Sequence, residues 1–375
     1  MSTPQIRPAS TRTAERALRE EIRAVLSAAP VTEARRTRDP RPVHRALGAA
    51  GLLAPQWPEE YGGRGVSHVA AAILVEELAM FDVPDLLHTL TVQIVGTTLL
   101  NCAGPRLKER HLPGFAAGTA YGCVLFSEAH AGSDLSVLST RAVPDGDGYR
   151  LHGVKTHSIF AGIADHALCL ARDGDALTLF MVPLAAEGVT IRPIPALADD
   201  HFNEVTLDNV YVGADAVVGA PGQGWGIVVQ TLVYERTGLD YYVKALRWYR
   251  AAVARWSGAV DHHDTVLLAR LNTRLRAAGT LVRRVLTLLD RGELTEDTAA
   301  AAKWYTTELA ADVAWWIAEH DADRTMVDQE ERALTDPLDA AVREAPGLRI
   351  SGGTSEMMLE TLARLWLDSG MEVGS

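Results

Sequence analysis

ALTLFMVPL at 176–184, VTIRPI at 189–194 and FNEVTLDNVYV at 202–212 are short apolar or alternating runs separated by glycine, aspartate and proline. Antiparallel strands need that pattern, and one continuous helical bundle does not accommodate it. VLF at 124–126, YRLHG at 149–153 and ALCLA at 167–171 extend the pattern upstream. A β region is therefore expected over 120–218.

Toward the amino terminus the periodicity is helical. Leu18, Ile22, Val25 and Leu26 share one face of a helix expected over 12–30. Pro42, Gly48, Gly51, Pro55, Pro58, Gly63 and Gly65 break 41–65 into a short helix and a turn-rich connector. AAAILVEELAMF at 70–81 predicts a mostly buried helix, and a further helix is expected over 88–102, frayed at Thr97–Asn101.

Beyond about residue 223 helical spacing returns. Leu268, Leu271, Leu275, Ala278, Val282, Val285 and Leu289 form one stripe, and Gly292 is placed to stop that helix. Thr295 is a cap for the next helix, whose buried face includes Tyr305, Leu309, Val313 and Trp316. The short turn between the two predicts antiparallel neighbours in a bundle. Residues 321–340 are polar and acidic, with Pro337 as an interruption, and a last helix starts near Thr354. The chain thus reads as an α+β multidomain protein: an N-terminal helical domain at 1–119, a central β domain at 120–222 and a C-terminal helical bundle at 223–375.

Composition narrows the function. The chain has 375 residues, 47% of them apolar, enough for a sizeable core. A net charge of −12 argues against nucleic acid or an anionic membrane as partner. Cys102, Cys123 and Cys169 show no metal-binding spacing and fit a reducing compartment. With no apolar leader core and no run near the length of a membrane span, the expected location is the cytoplasm.

Four local patterns carry possible chemistry. In SEAHAGSD at 127–134, Ser127, Gly132 and Ser133 suit either an ordinary turn or contact with a polar ring or phosphate. GAPGQGWG at 219–226 lacks the strand and crossover helix of a dinucleotide fingerprint and reads as a loop before a helix. Glu235, followed by Arg236 at the start of an apolar segment, suits a solvated helix, or a base beside an acyl thioester if burial raises its pKa. In RISGGTSEMM at 349–358, Thr354 suits a cap or a ligand bond, and Glu356 lies where a helix dipole favours an acid. His262 and His263 are adjacent rather than facing, so no metal site is expected.

Taken in order, these motifs resemble the acyl-CoA dehydrogenase family. LLAPQWPEEYGGRG at 52–65, SEAHAGSDLSVLSTRAVPDGDGYRLHGVK at 127–155, HFNEVTLDNVYVGADAVVG at 201–219, PGQGW at 221–225, the Glu235–Arg236 pair and SGGTSEMM at 351–358 cover nearly the whole chain. The resemblance implies an acyl-CoA dehydrogenase-like fold: an N-terminal helical domain, a central β-barrel-like domain and a C-terminal four-helix-type bundle. It also implies FAD, an acyl-CoA or carrier-protein-bound acyl thioester as substrate, and α,β-dehydrogenation. A homo- or hetero-oligomer with an acyl-CoA dehydrogenase-like chain is implied, with electron-transfer flavoprotein or oxygen as acceptor.

On the cofactor side the resemblance places Phe126, Ser127, Gly132, Ser133, His157, Ile159, Thr354 and Glu356; on the thioester side it places Arg236, Gly352 and Gly353. The family's usual base precedes the Gly-Thr of the terminal motif, and here that position is Gly352. A minority carries the base at a position matching Glu235, which is an acid in this chain. His157 and Ile159 stand where the family has tryptophan and threonine against the flavin. Two cofactor motifs are replaced, by RWSGAVDHHD at 255–264 and MVDQEERALTDPLD at 326–339. The expected activity is therefore dehydrogenation with Glu235 as base; the alternative is a non-catalytic structural subunit or acyl-binding scaffold, and a third reading has His157 redirect the chemistry.

Overall fold

The computed structural model of the chain describes residues 12–198, 201–256, 261–320 and 336–368. The amino-terminal part is helical: α1 (Arg12–Ala28), α2 (Val31–Thr37), α3 (Arg41–Ala49), α4 (His68–Met80), α5 (Leu86–His88), α6 (Thr97–Cys102) and α7 (Pro105–Ala116). Ser67 caps α4 by accepting the N–H of Ala70. Between α5 and α6 the backbone widens into a π-helical stretch, Thr89–Gly96. A Cβ on Gly96 would come within 2.1 Å of the Trp57 ring, so the bare backbone there is what lets the buried indole pack.

Two expectations change in this region. Thr97–Asn101 does not fray: α6 runs on to Cys102, and Thr98 Oγ1 donates to Ile94 and meets Thr231 Oγ1 at 2.9 Å. The second is α7, which the apolar spacing alone did not signal. Its inward face mixes His111 with Leu107, Leu112 and Phe115.

The centre holds β1 (Gly122–Leu125), β2 (Arg141–Asp145), β3 (Gly148–Ile159), β4 (His166–Asp173), β5 (Ala176–Pro183), β6 (Val189–Pro193), β7 (Phe202–Gly213) and β8 (Val217–Val218). They form one sheet in the order β6-β7-β3-β2-β4-β5-β8, and β1 lies on β4. The expected barrel-like centre is thus a hydrogen-bonded path with β6 and β8 at its ends. Nor are all neighbours antiparallel: β1 runs parallel to β4.

Strands β4 and β5 are buried on both faces, which explains their near-continuous apolar runs. Leu168, Leu170, Leu179 and Met181 join the core under the amino-terminal helices. The alternate residues Ala167, Cys169, Phe180 and Val182 fill a second core with β3 and β7. Cys102, Cys123 and Cys169 are free thiols, the last two buried.

The carboxy-terminal part comprises α8 (Gly224–Glu235), α9 (Leu239–Trp256), α10 (His262–Arg291), α11 (Glu296–His320), α12 (Pro337–Leu348) and α13 (Ser355–Asp368). Gly292 ends α10 in the left-handed conformation, at φ 69°. Leu309, Val313 and Trp316 of α11 pack against Leu271 and Leu275 of α10, and Tyr305 lines their edge. Pro337 opens a helix rather than interrupting one: Asp336 accepts the Leu338 N–H at 3.0 Å, and proline's missing N–H costs nothing at the first position. Residues 257–260 and 326–335, in the two stretches that replace cofactor motifs, lie outside the described residues. Among the described residues no helix is long and apolar enough to cross a membrane.

Candidate active site

Glu235 is the last residue of α8, and Arg236 begins the turn into α9. That turn packs against the Ser351–Thr354 turn between α12 and α13, where Gly352 and Gly353 have φ of 65° and 100°. Arg236 Nε donates to the carbonyl of Gly352 at 2.8 Å. A Cβ on Gly352 would lie 3.1 Å from Oε1 of Glu235 and 3.0 Å from the hydroxyl of Tyr241. A Cβ on Gly353 would lie 2.9 Å from the Arg236 guanidinium. The side-chain-free turn therefore gives Glu235 and Arg236 the room they occupy.

Three further groups join them, none singled out from the sequence. Lys303 of α11 is fully buried, and its ammonium donates to the carbonyls of Gly353 at 2.6 Å and Leu348 at 3.2 Å. It lies 5.6 Å from the centre of the Tyr241 ring. Asp240 opens α9. The single charge in the run AAAAKWY at 299–305 was the available signal for Lys303, because a lysine on an otherwise apolar buried face must find acceptors.

Burial dominates the electrostatics. It raises the carboxyl pKa of Glu235, opposed by Arg236 and Lys303. Asp240 is pushed up to about 7 by burial and by Asp85. Burial brings Lys303 down to about 8, with Arg236 adding and the nearby acids opposing. The cluster thus holds an acid whose proton affinity is raised by burial, beside two cations that favour its charged form. A narrow cavity of about 40 Å³ is lined by Tyr234, Thr237 and Leu239 from this turn, together with His88, Gln93 and Leu286.

Thr354 and Glu356 have other work in this structure. Thr354 Oγ1 accepts the Met357 N–H at 3.2 Å, a cap on α13. Glu356 stands exposed in the first turn, its pKa lowered by backbone and Thr354 hydrogen bonds.

The second group of sequence-selected residues lies on the β domain. Lys155, fully buried on β3, donates to Glu128 and to the carbonyl of Phe126, both at 3.0 Å. Glu128 also accepts the N–H groups of Ser139 and Thr140 and the Ser139 hydroxyl. Burial alone would raise the Glu128 pKa, but these bonds and Lys155 hold it at about 2. This lock fixes the SEAHAGSD turn and is a second feature that sequence reading passed over. Ser127 stands half-buried and Gly132 and Ser133 exposed on that turn, while Phe126 is buried beneath it. Among the described residues no hydrogen bond takes up the hydroxyl of Ser127 or Ser133.

His157 sits at the β3 bulge between Lys155 and Ser158, exposed, with φ of 54° and its ring 6.1 Å from that of Phe202. Ile159 turns into the β core. Its neighbour Phe160 shares a small cavity with Lys244 and Glu344 of the bundle, so this end of β3 faces α9 and α12. Among the described residues no group of three or more His, Cys, Asp or Glu side chains is placed to hold a metal.

Comparison with known proteins gives the family. Three domain families match in order: acyl-CoA dehydrogenase N-terminal domain at 12–119, middle domain at 123–210 and C-terminal domain at 222–367. Acyl-CoA dehydrogenase FadE29 of Mycobacterium tuberculosis (strain ATCC 25618 / H37Rv) is 30% identical over 356 residues, covering 89% of this chain and 88% of that protein. The chain belongs to the acyl-CoA dehydrogenase family. Acyl-CoA dehydrogenase IpdE1 of the same strain is 38% identical over 200 residues, and the match spans about half of each protein, 52%. Among solved structures, a chain of the ChsE4-ChsE5 complex from Mycobacterium tuberculosis superposes with a TM-score of 0.84 at 25% identity, over 98% of this chain and 99% of that one.

Proposed function

We propose that this chain catalyses FAD-dependent α,β-dehydrogenation of an acyl thioester carried on CoA or on a carrier protein, with Glu235 as the base. The observation that carries the proposal is the position of the Glu235 carboxylate in the space vacated by the missing side chain of Gly352. Both places where the family puts its acid thereby converge on one spot, and this chain fills it from α8.

The donors on the β domain fit FAD along one side. The unbonded hydroxyls of Ser127 and Ser133, with the backbone around Phe126 and Gly132, suit a polar ring edge and a diphosphate. His157 would cover the ring from the bulge, and Ile159 contributes only its backbone. When bound, FAD supplies a two-electron acceptor for the hydride that leaves the β carbon of the substrate.

The protein's own part is proton transfer and orientation. Glu235, made more basic by burial, takes the α proton, and the electron pair left behind becomes the new carbon–carbon double bond as the β hydride departs. Arg236 holds Gly352, so the acid and the turn keep one geometry while the α carbon is presented. Burial around Glu235 keeps bulk water from the acid. Three free thiols and the acidic composition support a cytoplasmic setting. Electron-transfer flavoprotein or oxygen would reoxidise the cofactor, and the complex formed by ChsE4 and ChsE5 supports assembly with a related chain.

Anaerobic absorption spectra of the natively purified protein, with every co-purifying subunit identified by mass, test this function. Oxidised flavin that bleaches on adding acyl-CoA supports it; no flavin under cofactor-replete conditions ends it for the isolated chain. Ile159 favours one second reading, a non-catalytic subunit or acyl-binding scaffold, because it brings no hydroxyl to the flavin. That reading requires a flavin-free homomer and a second, intact acyl-CoA dehydrogenase-like chain in the complex.

A further inference from the structure

Lys303 reaches from α11 to two carbonyls, Leu348 at the end of α12 and Gly353 in the turn beyond. We infer that Lys303 is a positioning residue, whose ammonium pins the Gly352–Gly353 turn against the carboxylate of Glu235. The inference rests on Glu235 being the base.

The geometry supports a pin rather than a plain helix cap. A lysine that only neutralised the end of α12 would need the Leu348 carbonyl and nothing else. Here the shorter bond goes to Gly353, whose neighbour Gly352 sets the distance to Glu235. Arg236 holds the carbonyl of Gly352, so two cations, one from α11 and one from the turn after α8, fix two consecutive glycines. Both glycines have positive φ and no side chain to anchor them, so the turn depends on such outside contacts. The Tyr241 ring lies beside the ammonium, which shields it from solvent.

The charged and titratable groups around Lys303 come from several packed elements. Glu235 and Arg236 face it from the end of α8, Asp240 and Tyr241 from α9, Glu308 from its own helix and Glu356 from α13. Its positive charge favours the ionised form of Glu235. Removing that charge should therefore raise the pH at which the base becomes competent.

Lys303→Met and Lys303→Arg, made in the natively assembled protein, separate the pin from the cap. Amide hydrogen exchange across 349–358 needs no turnover and reads the pin directly. We expect Lys303→Met to speed exchange at Ser351 and Ser355, whose N–H groups bond the carbonyls of Gly347 and Arg349, by roughly tenfold or more at temperatures well below its melting point. Lys303→Arg keeps the donors and should restore slow exchange. With butyryl-CoA, octanoyl-CoA and palmitoyl-CoA as probes, the acid limb of kcat/KM in Lys303→Met should move up by on the order of one pH unit. Exchange within twofold of wild type in Lys303→Met, or an unmoved acid limb while Glu235→Gln is inactive, would overturn the inference. If Lys303→Met does not fold, Lys303→Gln carries the same two readouts. Failure of the wild type to oxidise any probe would count against the dehydrogenase function alone, and the exchange result would still decide whether Lys303 pins the turn.

Discussion

The carboxylate of Glu235 occupies the space that a side chain on Gly352 would need, with its Oε1 3.1 Å from that glycine's Cβ position. Gly352→Ala should therefore act twice. An alanine at φ 65° is strained by about 1–2 kcal/mol, read as a lowered unfolding midpoint in denaturant. Its methyl pushes Glu235 aside by a few tenths of an ångström, so kcat should fall, by less than the roughly hundredfold that a misplacement of about 1 Å brings.

The buried pair of Glu128 and Lys155 predicts both a mutational and a pH response. Lys155→Met strands a carboxylate away from water and should cost about 3–5 kcal/mol in denaturant unfolding. Glu128 has a folded pKa near 2, below its ordinary value of 4.5. Its contribution to stability is thus complete above about 4.5 and is lost as pH falls toward 2. Glu128→Gln should flatten the fall in melting temperature across that window.

Buried histidines set a second, higher window. Burial lowers His44 to about 3, with His88 adding, and lowers His111 to about 4, with His166 adding. Each binds its proton more readily when unfolded, so stability is complete above about 6.5 and is lost as pH falls toward 4 and then 3. Replacing His44 with leucine should remove part of that slope, as followed by melting temperature between pH 7 and pH 4.

Gly96 tests the packing of the π-helical stretch. A methyl there would meet the Trp57 ring at 2.1 Å, in a core with no space to yield. Gly96→Ala should destabilise by about 1–3 kcal/mol, and the near-ultraviolet signal of the buried indole should change with it.

Much of this architecture is legible in the sequence because it follows from local periods. The strand runs from 124 to 212, the stripe from Leu268 to Leu289 and the stop at Gly292 each depend on a few neighbouring residues. Glu235 and Gly352 were also visible, since both lie inside motifs. What stayed hidden depends on partners far along the chain. Lys303 acquires meaning only from carbonyls 45 and 50 residues away, and Lys155 only from an acid 27 residues before it. The parallel pairing of β1 with β4 and the helix opened by Pro337 were missed for related reasons. An apolar strand carries no mark of its direction, and proline signals a helix start as readily as a break.

The central claim is that Glu235 removes the α proton. The most direct measurement is the anaerobic rate of flavin bleaching by acyl-CoA in the fully assembled protein, wild type against Glu235→Gln. The variant should fold, retain FAD and bleach at least about a hundredfold more slowly. Bleaching at the wild-type rate in that variant would contradict the claim.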